Sequence, residues 1–204
     1  HRIVRYADDI LILCCTEKAA KNALTVATQI LEKGLKLTVN EKKTHIAHSS
    51  EGVKFLGVEI GSNWTRIQAT KLKGFKQRVK RLTKRNSGMN LIEVIKRLNP
   101  VVRGFVNYFS IANSKRVLNL LARWVRRRLR AIQLRLWKNP ARLHKRLKQL
   151  GKKPPFKFIK MNSWRNSLSP LSSVAMPNQW FEEQGLYSME KVSTGWLAQS
   201  AFRK

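Results

Sequence analysis

The sequence predicts an α+β chain: an antiparallel sheet with a helix packed on it, then an all-helical and strongly basic region, then an irregular tail. Three observations carry this. Short β-branched and apolar runs separated by polar turns fill residues 1–66. Long stretches within residues 70–153 place apolar residues at helical spacing, while residues 154–204 are rich in Ser, Pro and Trp with little periodicity. A hydrophobic content of 43% over 204 residues is enough for one sizeable core or two small ones.

The elements follow in order. "RIVRY" and "DILILCC" read as buried strands joined by a tight turn at the adjacent acids Asp8 and Asp9. Thr16 can cap the next helix and Gly34 can end it, with Leu24, Ala27, Ile30 and Leu31 forming the face laid on the sheet. "LKLTV", "THIAH" and "VKFLGVEI" read as three further strands, with "HSSEG" as a hairpin connection. In the second region, Leu72, Phe75, Val79 and Leu82 mark a first helix. "LIEVIKRLNPVVRGFVNYF" continues the pattern, and Asn99-Pro100 is expected to kink or divide it. The longest helix carries Val117, Leu120, Leu121, Trp124, Val125, Leu129, Ile132 and Leu136. Pro140 and "GKKPPFK" are expected to end the bundle.

Charge narrows the partners. The chain has 42 Lys+Arg against 11 Asp+Glu, a formal net charge of +31, and a body so charged repels itself unless a polyanion neutralises it. From Lys71 to Lys153 the only acid is Glu93. Nucleic acid is the expected partner, because no run approaches the ~18 apolar residues of a spanning helix. Cys14 and Cys15 are adjacent, which suits buried free thiols in a reducing compartment rather than a zinc or redox pair. His1, His45, His48 and His144 are scattered, which argues against a zinc site made by the protein alone.

Asp8 and Asp9 are the chain's only aspartates. Alone, an Asp-Asp turn is an ordinary solvated feature. In a cationic chain it also suits magnesium, which takes hard oxygen ligands from carboxylates and substrate phosphates. The surroundings favour the second reading. "YADD" between apolar strands resembles the Tyr-x-Asp-Asp signature of reverse transcriptases, "LKLTVNEKKTHI" resembles their Leu-x-Leu, Lys-Thr segment, and "GVKFLGVEI" looks like their Phe-Leu-Gly primer-grip hairpin. "NPVVRGFVNYF", "WVRRRLR" and "WRNSLSPLSSVAMPNQWFEEQGLYSM" resemble the maturase domain and tail of group II intron-encoded proteins. The order of the segments matches that family over nearly the whole chain.

That resemblance implies roles for particular residues. Residues 1–66 would be the rear of a polymerase palm, 70–153 a thumb or maturase domain, and 154–204 a tail. Asp8 would be a ligand of two catalytic magnesium ions, with Asp9 its neighbour nearer the primer end; Tyr6 and Ala7 would line the site. Lys43 matches a lysine that approaches the incoming triphosphate, and reads equally as a solvated strand-end lysine. Phe55, Leu56 and Gly57 match the hairpin that holds the primer, with sheet packing as the plainer role of the first two and close backbone approach as the reason for the glycine. Lys73, Lys76, Arg78, Lys80 and Arg81 on the first helix and Arg123, Arg126, Arg127, Arg128 and Arg130 on the third would contact RNA phosphates. Trp124, Tyr108, Phe105 and Phe109 fall on apolar stripes and read as core.

A complete polymerase of that family uses a further palm aspartate and a fingers region ahead of Tyr-x-Asp-Asp. The chain is therefore expected to be the carboxy-terminal part of such an enzyme, with an incomplete metal site and no primer extension by itself. Implied partners are intron RNA, a template–primer duplex and deoxynucleoside triphosphates, within a ribonucleoprotein of the bacterial cytoplasm or an organelle, the bacterial-type tail favouring the former. The alternative is a maturase without polymerase chemistry that stabilises intron RNA for splicing. A ribosomal or chromatin protein would not explain the ordered palm segments.

Overall fold

The computed structural model describes residues 1–154, 156 and 164–195. Helices and small antiparallel sheets combine in an α+β chain that divides into two compact units, His1–Gln68 and Ala69–Lys204.

In the first unit β1 (Arg2–Tyr6) pairs antiparallel with β2 (Asp9–Leu13), in a register running from Tyr6 opposite Asp9 to Arg2 opposite Leu13. Helix α1 (Glu17–Gln29) starts at Thr16, whose hydroxyl accepts from the Ala19 amide at 3.2 Å. A π-helical turn, Ile30–Gly34, then brings the winding to its end at the expected glycine. A second sheet, β3 (Val53–Phe55), β4 (Val58–Ile60) and β5 (Thr65–Ile67), is an antiparallel meander.

Three strand expectations in this unit are corrected. "LKLTV" and "THIAH" form no strands, because their backbone groups find local partners instead of a ladder. The Leu37 amide reaches back to the Leu31 carbonyl, the Lys43 and Thr44 amides both bond the Asn40 carbonyl, and Lys36 has a φ of 55° that interrupts extended chain. "HSSEG" is consequently a turn ahead of β3, closed by the Glu51 amide on the His48 carbonyl, and not a hairpin connection. "VKFLGVEI" is two strands rather than the one its periodicity suggested, and forms the hairpin that the Phe-Leu-Gly resemblance implied. The hairpin turn lies inside it at Leu56-Gly57, where both residues have positive φ, 48° and 82°.

Gly57 thus has a local reason to be glycine. Gly57→Ala is expected to destabilise the β3–β4 hairpin by about 1–2 kcal/mol, the penalty of a Cβ in the left-handed region. Amide hydrogen exchange at Val58 should be faster in that variant; unchanged exchange would rule this out.

The second unit is built from α2 (Ala69–Leu82), α3 (Leu91–Phe109), α4 (Lys115–Leu136) and α5 (Pro140–Gln149), followed by the short α6 (Pro170–Ala175) and α7 (Asn178–Glu183). Phe75 and Val79 of α2 pack against Val94, Leu98, Val102 and Val106 of α3 and against Leu118, Leu121, Val125 and Leu129 of α4 in one core. Helix α3 runs unbroken through Pro100, so the expected division is absent. Pro100 faces solvent, where water can take the carbonyl its missing N–H releases, and buried side chains on both sides of it hold the helix together. On α4 the seam includes Leu118, while Leu120 is 56% exposed. Pro140 opens a helix rather than ending the bundle: it needs no N–H partner at the first position, and Asn139 caps the Arg142 amide at 3.3 Å.

The tail is not the irregular appendage the composition suggested. Ala175, Met176, Phe181, Leu186 and Met189 are buried in the same core as α3 and α4. Their spacing hid this, since short helices and a 3-10 turn (Met189–Lys191) deliver them instead of one periodic helix. Within "GKKPPFK" and the tail, residues 155, 157–163 and 196–204 lie outside the described residues. No helix among the described residues is long and apolar enough to cross a membrane.

Candidate nucleic-acid interface and carboxylate pair

The carboxylate pair sits at the tip of the β1–β2 hairpin. Tyr6 and Asp9 face each other across the ladder and Ala7-Asp8 form the turn, with Ala7 at a φ of 50°. Such a conformation is uncommon for alanine, and the Arg5 guanidinium braces it by donating to the Ala7 carbonyl at 3.0 Å. Tyr6, Ala7, Asp8 and Asp9 are all exposed. The hairpin's apolar residues are exposed too, Ile3 at 68% and Leu13 at 50%. Two strands alone are marginal.

Hard carboxylate oxygens at this tip suit magnesium. Among the described residues no group of three or more His, Cys, Asp and Glu side chains gathers to hold a metal ion, so Asp8 and Asp9 offer a donor set of the right chemistry that lacks a third carboxylate.

The second sheet carries Phe55 and Leu56, both half-buried, and the buried Gly57. Its far side is closed by Trp64, whose indole lies where a Cβ on Gly52 or Gly61 would be, with the Arg66 guanidinium 4.8 Å from the ring centroid. Lys43 is exposed and belongs to the Asn40–Thr44 turn, not to a strand end. Asp8 and Gly57 sit on separate sheets.

The ten basic residues expected at RNA fall into two groups. Lys73, Lys76, Arg78, Lys80 and Arg81 are exposed on α2, opposite its buried Phe75 and Val79, and Arg123 and Arg127 are exposed on α4. The other three guanidinium groups bond the protein. Arg126 is buried and forms a two-pronged ion pair with Glu190, at 2.7 and 2.9 Å. Arg128 donates to the Thr83 hydroxyl at 2.6 Å and the Thr83 carbonyl at 2.9 Å. Arg130 donates to the Met176 carbonyl at 3.0 and 3.1 Å. Burial pulls the Arg128 and Arg130 pKa values below the ordinary one, and a like charge on Arg127 or Arg126 respectively adds to the shift. These three arginines hold α4 to α2 and to the tail, which leaves the exposed seven, free of such bonds among the described residues, in their expected role. A signal was present: Ala122, Arg126 and Leu129 are four and three apart, which puts Arg126 on the buried seam.

Of the aromatic residues expected in the core, Phe109 is buried, Phe105 and Trp124 pack against the core from its edge, and Tyr108 is 51% exposed. Among the further exposed cations that the sequence reading did not single out are Lys84 and Arg85 after α2 and Arg135 near the end of α4.

Two segments of the chain match known families. Residues 1–60 match the reverse transcriptase (RNA-dependent DNA polymerase) family, and residues 72–151 match the maturase-specific domain of group II introns. A 58-residue segment is 41% identical to the COX1/OXI3 intron 2 protein of Saccharomyces cerevisiae, covering 28% of this chain and 7% of that protein. The matched segment is thus a small part of that relative's length.

Proposed function

Because the chain belongs to the intron-encoded reverse transcriptase/maturase family, we propose that its helical unit binds group II intron RNA. We further propose that its first unit, together with the palm and fingers elements of a complete enzyme, serves RNA-directed DNA synthesis. The observation that carries the reading is the outer face of α2: five exposed cations opposite buried Phe75 and Val79, in a stretch whose only acid is Glu93. A solvated helix face ordinarily mixes signs. A face with one sign needs a polyanion, and structured RNA recognised through its phosphates is the one this family encounters.

In the first unit the Tyr6–Asp9 tip would sit at the primer end, Lys43 near the triphosphate and the Phe55–Gly57 hairpin along the primer backbone. Asp8 and Asp9 would hold magnesium ions, which when bound supply charge stabilisation at phosphate oxygens. Arg5, bonded to the Ala7 carbonyl, keeps the tip in its turn.

The 204-residue chain by itself is expected to give no primer extension, because two carboxylates are an incomplete set for a two-metal site. An assay with a primed RNA template, magnesium and deoxynucleotides tests this; extension that disappears in Asp8→Ala would contradict it. The same basic face of α2 also fits a second reading, in which the chain acts only as an RNA-binding splicing cofactor. Intron splicing that is stimulated equally by the chain and by its Asp8→Asn, Asp9→Asn variant would favour that reading.

A further inference from the structure

A cleft of about 160 Å³ opens between the α2–α3 loop and the last turns of α4. Its walls are fixed. Arg128 ties Thr83, just past α2, to α4. The chain then turns, with the Ser87 amide on the Lys84 carbonyl at 3.2 Å and Gly88 at a φ of 72°. It restarts as α3 at Asn90, whose side chain accepts from the Glu93 amide at 2.8 Å.

Three kinds of group meet in this cleft. The floor is apolar, made by buried Ile132 and half-buried Met89 and Leu136. Arg85 and Arg135 stand at it, both exposed, and Arg85 is steadied by donating to the Arg165 carbonyl at 3.4 Å. Asn86 supplies an amide that can both donate and accept. The lining holds no carboxylate among the described residues. A ligand matched to all three is anionic, has a flat apolar body and carries a hydrogen-bonding edge, which is the chemistry of a nucleotide.

The cleft is small and open to solvent, so it suits one flat ring at its surface rather than a whole drug-sized molecule.

We propose that this cleft receives one unpaired nucleotide of the bound RNA, its base on Met89 and Leu136, its edge read by Asn86 and its flanking phosphates held by Arg85 and Arg135. This rests on the RNA-binding reading above and adds a base contact to it. Protein recognition of RNA commonly uses such splayed-out bases.

Anisotropy titrations of the full chain test it, with a uridine oligomer of about ten nucleotides compared with an abasic ribose-phosphate oligomer of the same length. The uridine oligomer is expected to bind about tenfold more tightly. Ser87→Leu, which fills the cleft, should remove most of that preference and leave affinity for the abasic oligomer within about twofold. If Ser87→Leu loses helical circular dichroism, Asn86→Ala is the substitute, with the preference expected to fall about fivefold. Equal affinity for the two oligomers, or a preference that survives both Ser87→Leu and Asn86→Ala, overturns the cleft and leaves RNA binding standing. Failure to bind either oligomer at low salt overturns the RNA-binding reading, and the cleft with it.

Discussion

Glu190→Ala is expected to lower the stability of the helical unit by about 3 kcal/mol, the low end of what breaking a buried ion pair does. The loss comes from what remains. Arg126 has 7% of its side chain exposed, and without Glu190 its charge stays inside the protein with no carboxylate against it. The low end applies because Glu190 itself is 28% exposed, so water can partly enter.

The pair also belongs to a strap. Lys115 of α4 donates to the Glu190 and Val192 carbonyls at 2.6 and 3.0 Å, and Asn99 of α3 bonds both the Gly185 carbonyl and the Tyr187 amide. Lys191 donates to Glu182 at 2.7 Å, and that bond holds the Glu182 carboxyl below its ordinary pKa. Urea unfolding followed by circular dichroism measures the effect. A loss under about 1 kcal/mol would mean the tail is not part of the folded unit. Arg126→Met with Glu190→Leu should recover most of the stability, since an apolar pair of similar volume leaves no buried charge.

Replacing Lys73, Lys76, Arg78, Lys80 and Arg81 together by Gln is expected to weaken intron RNA binding by about a hundredfold or more at roughly 100 mM salt. It should also make the log–log salt dependence shallower by about 3.5 to 4.5, at roughly 0.7 to 0.9 for each phosphate no longer neutralised. These side chains are exposed on the face opposite Phe75 and Val79, so the fold should tolerate the change. Gln keeps the helix propensity of Lys and Arg. The same five substitutions with unchanged affinity would move the RNA site off α2. Replacing Arg128 and Arg130 instead should act mainly on stability, because their guanidinium groups already bond Thr83 and Met176.

What was legible in the sequence follows from how each element is stabilised. Helices α2 and α3 bury one stripe each, and a stripe at helical spacing survives in the sequence whatever it packs against. The pairing of β1 with β2 was equally plain, since apolar runs flank an acid turn, but the burial expected of these strands is not found, Ile3 being 68% and Leu13 50% exposed. "LKLTV" and "THIAH" misled because strand propensity speaks for a pleated surface, and here no neighbouring strand offers these segments a ladder. Periodicity alone made one strand of the apolar run around Leu56-Gly57, whereas the Phe-Leu-Gly resemblance marked it as a hairpin, which the paired positive φ values bear out. The tail misled because five core residues arrive on short helices and turns, leaving no period to read.

The candidate site divides the same way. Residue types and order marked Asp8, Asp9 and the basic helices. The spacing of Arg126 between Ala122 and Leu129 marks it as buried, whereas the Met176 carbonyl that holds Arg130 is distant in sequence and no local pattern contains it.

The most direct measurement is filter binding of a group II intron RNA to the 204-residue chain across about 50 to 200 mM potassium chloride. Binding through the exposed cations of α2 and α4 requires a log–log slope of about −4 or steeper, unchanged by Asp8→Asn and Asp9→Asn. A slope shallower than about −1, or affinity that depends on the two aspartates, would contradict RNA binding by the basic helical unit.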